Sequence, residues 1–76
     1  MTPPSDGISH GSAEMLFDAA RALSRMPASM ASSIEVAGIE GATPLLVSAA
    51  ERIAARFDLV ATVRTMPLVA VRFARR

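Results

Sequence analysis

Apolar residues recur at helical spacing in the first third of the chain. Four of them form one stripe, namely Leu16, Ala19, Ala20 and Leu23. Such a stripe is typical of a helix that buries one face. Ser12 is a suitable N-cap, and Pro27 cannot continue a helix. The pattern therefore predicts a first helix from Ser12 to about Arg25.

The segment before this helix, residues 1–11, contains two Pro and two Gly among small polar residues. A segment of this composition cannot bury enough apolar surface to offset the entropy lost on ordering. We expect a flexible tail over residues 1–11, with at most one short edge strand, and a single small domain over residues 12–76.

A short alternating run and a second helix follow. Ile34-Glu35-Val36-Ala37 predicts a strand with Ile34 and Val36 facing inward, ended by Gly38. Thr43 is a suitable N-cap, and Pro44 suits the first helical position, where no amide donor is needed. The apolar face of this helix is predicted to hold Leu45, Leu46, Ala49, Ala50, Ile53, Ala54 and Phe57.

The C-terminal part reads as a β-hairpin. Leu59 to Thr65 and Leu68 to Ala74 alternate and are separated by Met66-Pro67. An odd loop of three or five residues centred on Met66 keeps the apolar sets of both strands on one face. Those inward sets are Leu59, Ala61 and Val63 with Val69, Val71 and Phe73. The outer face would then carry Val60, Thr62, Arg64, Leu68, Ala70 and Arg72.

The element order is helix, strand, helix, strand, strand. A strand–helix–strand unit crosses over right-handedly, which places both helices on one face of the sheet. We therefore predict an α+β fold, a two-layer sandwich with two helices on one face of a small mixed sheet.

Size and charge add two expectations. A chain of 76 residues with 51% hydrophobic residues buries only about 60% of its unfolded surface, so a protein partner or homo-oligomer is expected. Residues 1–43 carry two Arg and five acidic residues, a sum of −3, whereas residues 44–76 carry six Arg and two acidic residues, a sum of +4. Because no segment reaches the ~20 apolar residues of a membrane span, and the start has no signal-peptide pattern, we expect a cytoplasmic protein without a membrane partner.

The element order and several segments resemble the TusA/SirA/YedF family of sulfur carriers. The segments are Ile34-Glu35-Val36-Ala37, the helix opened by Thr43-Pro44, Phe57-Asp58-Leu59-Val60-Ala61, and the closing Arg72-Phe73-Ala74-Arg75-Arg76. In that family a first strand leads to a Gly-hydrophobic-x-Cys-Pro-x-Pro motif at the start of the first helix, and the cysteine carries a persulfide. Gly7-Ile8-Ser9-His10-Gly11-Ser12 falls at the matching place.

The motif itself departs from that family. His10 stands at the cysteine position, Gly11 and Ala13 replace the two prolines, and no apolar residues precede Gly7. Persulfide transfer needs a thiolate, and the chain has no cysteine. The resemblance therefore implies a carrier fold that has lost its thiol.

No complete catalytic or metal set is recognisable. His10 is the only histidine, and one histidine with scattered carboxylates does not supply the three or four ligands of a zinc site. We expect a non-enzymatic protein without a cofactor or metal.

Five residues near the C-terminus are the candidate partner-binding set: Arg64, Leu68, Arg72, Arg75 and Arg76. The leading hypothesis is an accessory or adaptor protein that binds another protein through the outer sheet face and these arginines. The alternative is a small nucleic-acid-binding or regulatory protein that uses the same arginines on phosphates. Nucleic-acid sheets usually add exposed aromatic rings for stacking, and all three Phe are expected in the core.

Overall fold

Two helices and three strands follow one another in the predicted order. In the computed structural model, which describes residues 10–39 and 43–76, the elements occupy ranges close to those expected. They are α1 (His10–Arg25), β1 (Ser33–Ala37), α2 (Thr43–Arg56), β2 (Leu59–Arg64) and β3 (Ala70–Arg75). The α+β class is confirmed.

The strand order in this sheet is β1-β3-β2, and both neighbouring pairs are antiparallel. The expectation of a mixed sheet therefore needs a correction. The strands β1 and β2 do run in the same direction, as a strand–helix–strand unit requires. However, β3 folds back from β2 into the space beside β1, so the two parallel strands are separated.

The hydrophobic core lies between the helices and one face of the sheet. Val71 and Phe73 on the central strand are fully buried, as are Leu16 and Leu23 on α1 and Leu46 on α2. The predicted inward residues Ala61, Val63 and Val69 pack against this cluster. Both helices therefore cover the same face, as predicted, and contact each other as well.

The hairpin loop has five residues, because Arg64 pairs with Ala70 across it. This length is one of the two that the alternation allowed. The loop is centred on Pro67, one position later than expected, so Val63 lies opposite Val71. The Met66-Pro67 peptide bond is cis. Compared with a loop centred on Met66, each β2 residue therefore pairs with a β3 residue two positions later. An even shift leaves every side chain on its predicted face.

Three placements differ from the sequence prediction. First, α1 begins at His10, so Ser12 lies within its first turn and is buried, and is not the N-cap. Residues 1–9 of the predicted tail lie outside the described residues, whereas His10 and Gly11 belong to α1. Second, Leu45 is 42% exposed at the start of α2. Third, Leu68 lies in the hairpin loop and not on the outer face of β3.

The phenylalanines also differ in burial. Phe73 is fully buried, but Phe17 and Phe57 are only partly buried. Their rings meet edge to face where α1 and α2 approach, with centroids 5.2 Å apart. The guanidinium groups of Arg21 and Arg56 lie 5.9 and 5.6 Å from the centre of the Phe17 ring. This cluster links the two helices on the side away from the sheet's outer face.

The connection from α2 to β2 turns through a left-handed residue. Asp58 has φ 58°, and its amide donates a hydrogen bond to the carbonyl of Ala55 at 3.3 Å. A left-handed residue commonly ends a helix in this way. Glycine adopts this conformation without the steric penalty of a side chain.

Replacing Phe73 with Ala should unfold much of the population. A Phe→Ala change in a core costs about 3–5 kcal/mol of unfolding free energy, which approaches the whole stability of a small domain. Chemical denaturation followed by circular dichroism measures this. Met30→Ala is the control, because Met30 is 74% exposed, and its midpoint should stay close to that of the wild type. A folded Phe73→Ala protein with an unchanged midpoint would contradict the assigned core.

Asp58 provides a test of the left-handed turn. Asp58→Gly should be more stable than Asp58→Ala by about 1 kcal/mol, because alanine carries the full penalty at positive φ. Comparing the two variants with each other cancels the loss of the Asp58 side chain, which is common to both. Thermal denaturation of the pair measures the difference, and equal stabilities would contradict the assigned conformation.

Candidate functional site

The helices leave the second face of the sheet uncovered, and side-chain alternation determines what it displays. The residues of this outer face are Ser33, Glu35 and Ala37 from β1, Ala70, Arg72 and Ala74 from β3, and Val60, Thr62 and Arg64 from β2. Two arginines and one glutamate give this set a net charge of +1. The face is mostly small and polar, with basic residues on its central and β2 strands.

An ion pair crosses the outer face from one edge strand to the other. One terminal nitrogen of Arg64 (Nη2) lies 2.6 Å from Oε2 of Glu35. The two residues belong to β2 and β1, which are separated by β3, a span of about 10 Å between strand axes. Ala70 lies opposite Arg64 on β3 and is 3% exposed although it belongs to the outer face. Its small side chain leaves room for the arginine to extend across the central strand.

Arg72 lies at the centre of the outer face with a weaker partner. Nη2 of Arg72 is 3.5 Å from the hydroxyl oxygen of Ser33, and Arg72 lies opposite Glu35 in the register. Within the described chain, Arg72 forms no ion pair. A shallow depression of about 350 Å³ lies beside it, lined in part by Thr62 and Arg64. Arg72 is therefore the cation on this face most available to an external carboxylate.

Arg75 has a structural role that the sequence does not indicate. It lies on the helix-covered side of β3, where Nε donates to the carbonyl of Ala31 at 3.2 Å and Nη2 donates to that of Leu23 at 2.8 Å. Nη2 also donates to the carbonyl of Met26. The last carbonyls of a helix have no partner inside it, and a cation is favourable there. The guanidinium thus caps the C-terminus of α1 and fixes the loop to β1.

Arg76 and Leu68 lie at opposite ends of the sheet. Nε of Arg76 is 3.2 Å from Oδ1 of Asp58, beside the start of β2, and both side chains are largely exposed. Leu68 is 65% exposed in the hairpin loop, as is Met66 at 77%. The five candidate residues therefore do not form one cluster. Arg64 and Arg72 share the outer face, Leu68 borders it at the loop, Arg76 lies at the other end, and Arg75 is a helix cap.

Sequence reasoning missed Glu35 as a member of the outer face. The alternation of β1 contained the signal, because Glu35 lies between the inward residues Ile34 and Val36. Its pairing with Arg64 could not be read from the sequence, since the two are 29 residues apart. No described residue of the outer face is aromatic. His10, which stands at the cysteine position of the sulfur-carrier motif, is the first residue of α1.

Comparisons with known proteins give no neighbours for this chain. No family model, curated protein or solved structure matches it. Within residues 10–39 and 43–76, no helix has the length and apolar character needed to cross a membrane.

Removing the Arg75 guanidinium should destabilise the fold. Arg75→Ala should lower the unfolding free energy by about 1.5–3 kcal/mol, because it deletes charged hydrogen bonds to backbone carbonyls. Arg76→Ala is the matched control, and an exposed ion pair contributes only about 0–1 kcal/mol. Urea denaturation of both variants measures the loss of unfolding free energy in each. Equal losses in the two variants would contradict the capping role.

Proposed function

We propose that this chain is a small non-enzymatic accessory or adaptor protein that binds an acidic surface of another protein through the outer face of its sheet. Arg64 and Arg72 make the central contacts, and Leu68 adds an apolar contact at the adjoining loop. The observation that carries the proposal is Arg72, a central arginine with no ion pair in the described chain, beside an open depression.

The uncovered face suits a protein partner for a second reason. Ala37 and Ala74 have small side chains on the β1 and β3 strands of this face, so they do not obstruct the approach of a partner. Val60 adds apolar area, since it is 45% exposed. An antiparallel sheet commonly leaves one face to water or to a partner. Arginine is also among the residue types enriched in protein interfaces.

The candidate arginines support the proposal to different degrees. Arg75 is occupied by backbone carbonyls, so its contribution to binding is indirect, through the shape of the sheet. Arg76 is exposed at the far end of β2 and would extend the interface only for a partner that covers the full length of the sheet. This division narrows the expected contact residues to Arg64, Leu68 and Arg72.

The resemblance to sulfur carriers suggests a class of partner. An accessory protein of that ancestry, with His10 at the cysteine position, would bind proteins of a sulfur relay without taking part in the transfer. The resemblance covers residues 7–76 as a pattern of elements. It is secondary support for the adaptor proposal, which rests mainly on Arg72.

A tagged pull-down from the native host tests the proposal. The wild type should retain a stoichiometric protein, and Arg64→Glu with Arg72→Glu should reduce its recovery by about tenfold or more, because like charges across an interface cost several kcal/mol. Arg52→Glu is the control, since Arg52 is exposed on α2 away from the outer face. Binding that survives the double change would contradict the proposal.

Parallel samples treated with nuclease and high salt distinguish a protein partner from the alternative, a nucleic acid. A protein partner should remain after nuclease treatment. Recovery of nucleic acid that is lost steeply with salt would instead indicate phosphate contacts and would replace the adaptor proposal.

A further inference from the structure

The helix layer of this fold is wider than its sheet. Packed helices lie about 8–10 Å apart, whereas neighbouring strands lie about 4.8 Å apart. Two helices therefore cover the width of about four strands, and the sheet of the described chain has three. The helix α1 packs on β1 and β3, and α2 packs on β2, which is an edge strand. The uncovered width thus lies beside β2, beneath the far side of α2.

A groove of about 200 Å³ occupies this position. Ala54 and Ala55 of α2 line one wall, and Leu59, Val60 and Ala61 of β2 line the other, with Glu51 and Arg76 also at its margin. Alanines on the helix keep the groove open, since longer side chains there would fill it. The groove therefore lies between α2 and β2, with apolar side chains on both walls and two charged residues at its margin.

Within residues 10–39 and 43–76, the second edge of β2 lacks the usual protection of edge strands. In the described part of the chain, β2 pairs only with β3. Residues 59–63 contain no proline and no charge, and Arg64 is the first charged side chain. Proteins normally block an edge with such residues or with a bulge. An unblocked edge presents backbone donors and acceptors to another strand.

We propose that this groove binds an extended segment of a partner protein as a fourth strand, antiparallel to β2. The site lies at the β2 edge of the sheet and shares Arg64 with the outer face, but the groove under α2 goes beyond the adaptor interface described above. Backbone hydrogen bonds to the β2 edge would supply affinity, and alternate side chains of the segment would enter the groove under α2. The antiparallel direction is chosen because antiparallel pairing is slightly more stable per residue.

A second copy of this chain does not fit the groove. Pairing two β2 strands edge to edge would place them about 4.8 Å apart, and each α2 packs on its own β2. The two α2 helices would then overlap, because packed helices need about 8–10 Å. A single extended segment brings no helix on this face and avoids that clash. The steric limit therefore selects a peptide segment as the occupant.

The exposed side chains of β2 define the sequence of that segment. An acidic residue suits the position opposite Arg64, where it would compete with Glu35 for the guanidinium. A threonine suits the position opposite Thr62, and an aliphatic residue suits the position opposite Val60, because these cross-strand pairs are favourable. The positions between them face the alanine-lined groove and suit valine. Read from its N-terminus, the segment is Glu-Val-Thr-Val-Val.

The test uses the acetylated peptide Ser-Glu-Val-Thr-Val-Val-Ser and isotope-labelled protein. Nuclear magnetic resonance should show saturable shifts confined to β2 and to Ala54 and Ala55. Alternate β2 amides that point away from β3 should exchange with solvent at least about tenfold more slowly, because they become hydrogen-bonded. Absence of both effects at peptide concentrations of several millimolar would overturn the proposal.

One groove variant, one control variant and one charge exchange make the test specific. Ala55→Arg should abolish binding by filling the groove, and arginine is a good helix former, so α2 should persist. Met15→Arg, which introduces the same side chain at an exposed position of α1, should bind like the wild type. A Lys-for-Glu peptide should bind about two- to fivefold more weakly than the Glu peptide, and Arg64→Glu should reverse that preference.

These results test the groove beside β2 separately from the outer-face interface. Loss with Ala55→Arg and reversal with Arg64→Glu support the fourth strand and its register. Equal binding to Ala55→Arg, or a preference that Arg64→Glu does not reverse, overturns it. Arg72→Glu should leave peptide binding intact, so failure of the groove and failure of the outer-face adaptor interface are distinguishable.

Discussion

The fold depends on its last strand being the central one. Every pairing in the described sheet involves β3, and its residues Val71 and Phe73 lie at the centre of the core. The strands β1 and β2 have no hydrogen bonds to each other, and each helix packs on a surface that β3 completes. The first strand therefore gains a strand partner only when the C-terminal segment joins it, and closing so long a loop costs chain entropy.

The arginines of this protein have different roles because their tertiary environments differ. Arg75 satisfies carbonyls at the end of α1, and Arg56 contacts the Phe17 ring between the helices. Arg64 crosses the outer face to Glu35, whereas Arg72 on the central strand makes a weaker contact with the hydroxyl of Ser33. The basic residues of the C-terminal segment are therefore not one cluster. Some support the fold, and others lie on the outer face of the sheet.

The two proposed surfaces follow from the way in which the helix layer covers the sheet. Two helices cover one face of the sheet and leave the other face open, and they are together wider than the three strands beneath them. The open face presents Arg72 and Arg64, and the excess width produces the alanine-lined groove beside β2. The described residues thus expose a polar sheet face and an unpaired strand edge, and the two proposed contacts rest on these surfaces.

The sequence by itself determined the elements and the faces they bury, because helical and strand periodicities are local properties that residues such as Leu16, Ile34, Leu46 and Phe73 express directly. It also determined that the hairpin loop is odd, since only an odd loop keeps Val63 and Val71 on one face. Only the tertiary structure decided that β3 lies between β1 and β2, that Arg75 caps α1, and that Arg64 pairs with Glu35. These contacts join residues 29 or more positions apart, and no local pattern encodes which distant partner a long, flexible side chain reaches.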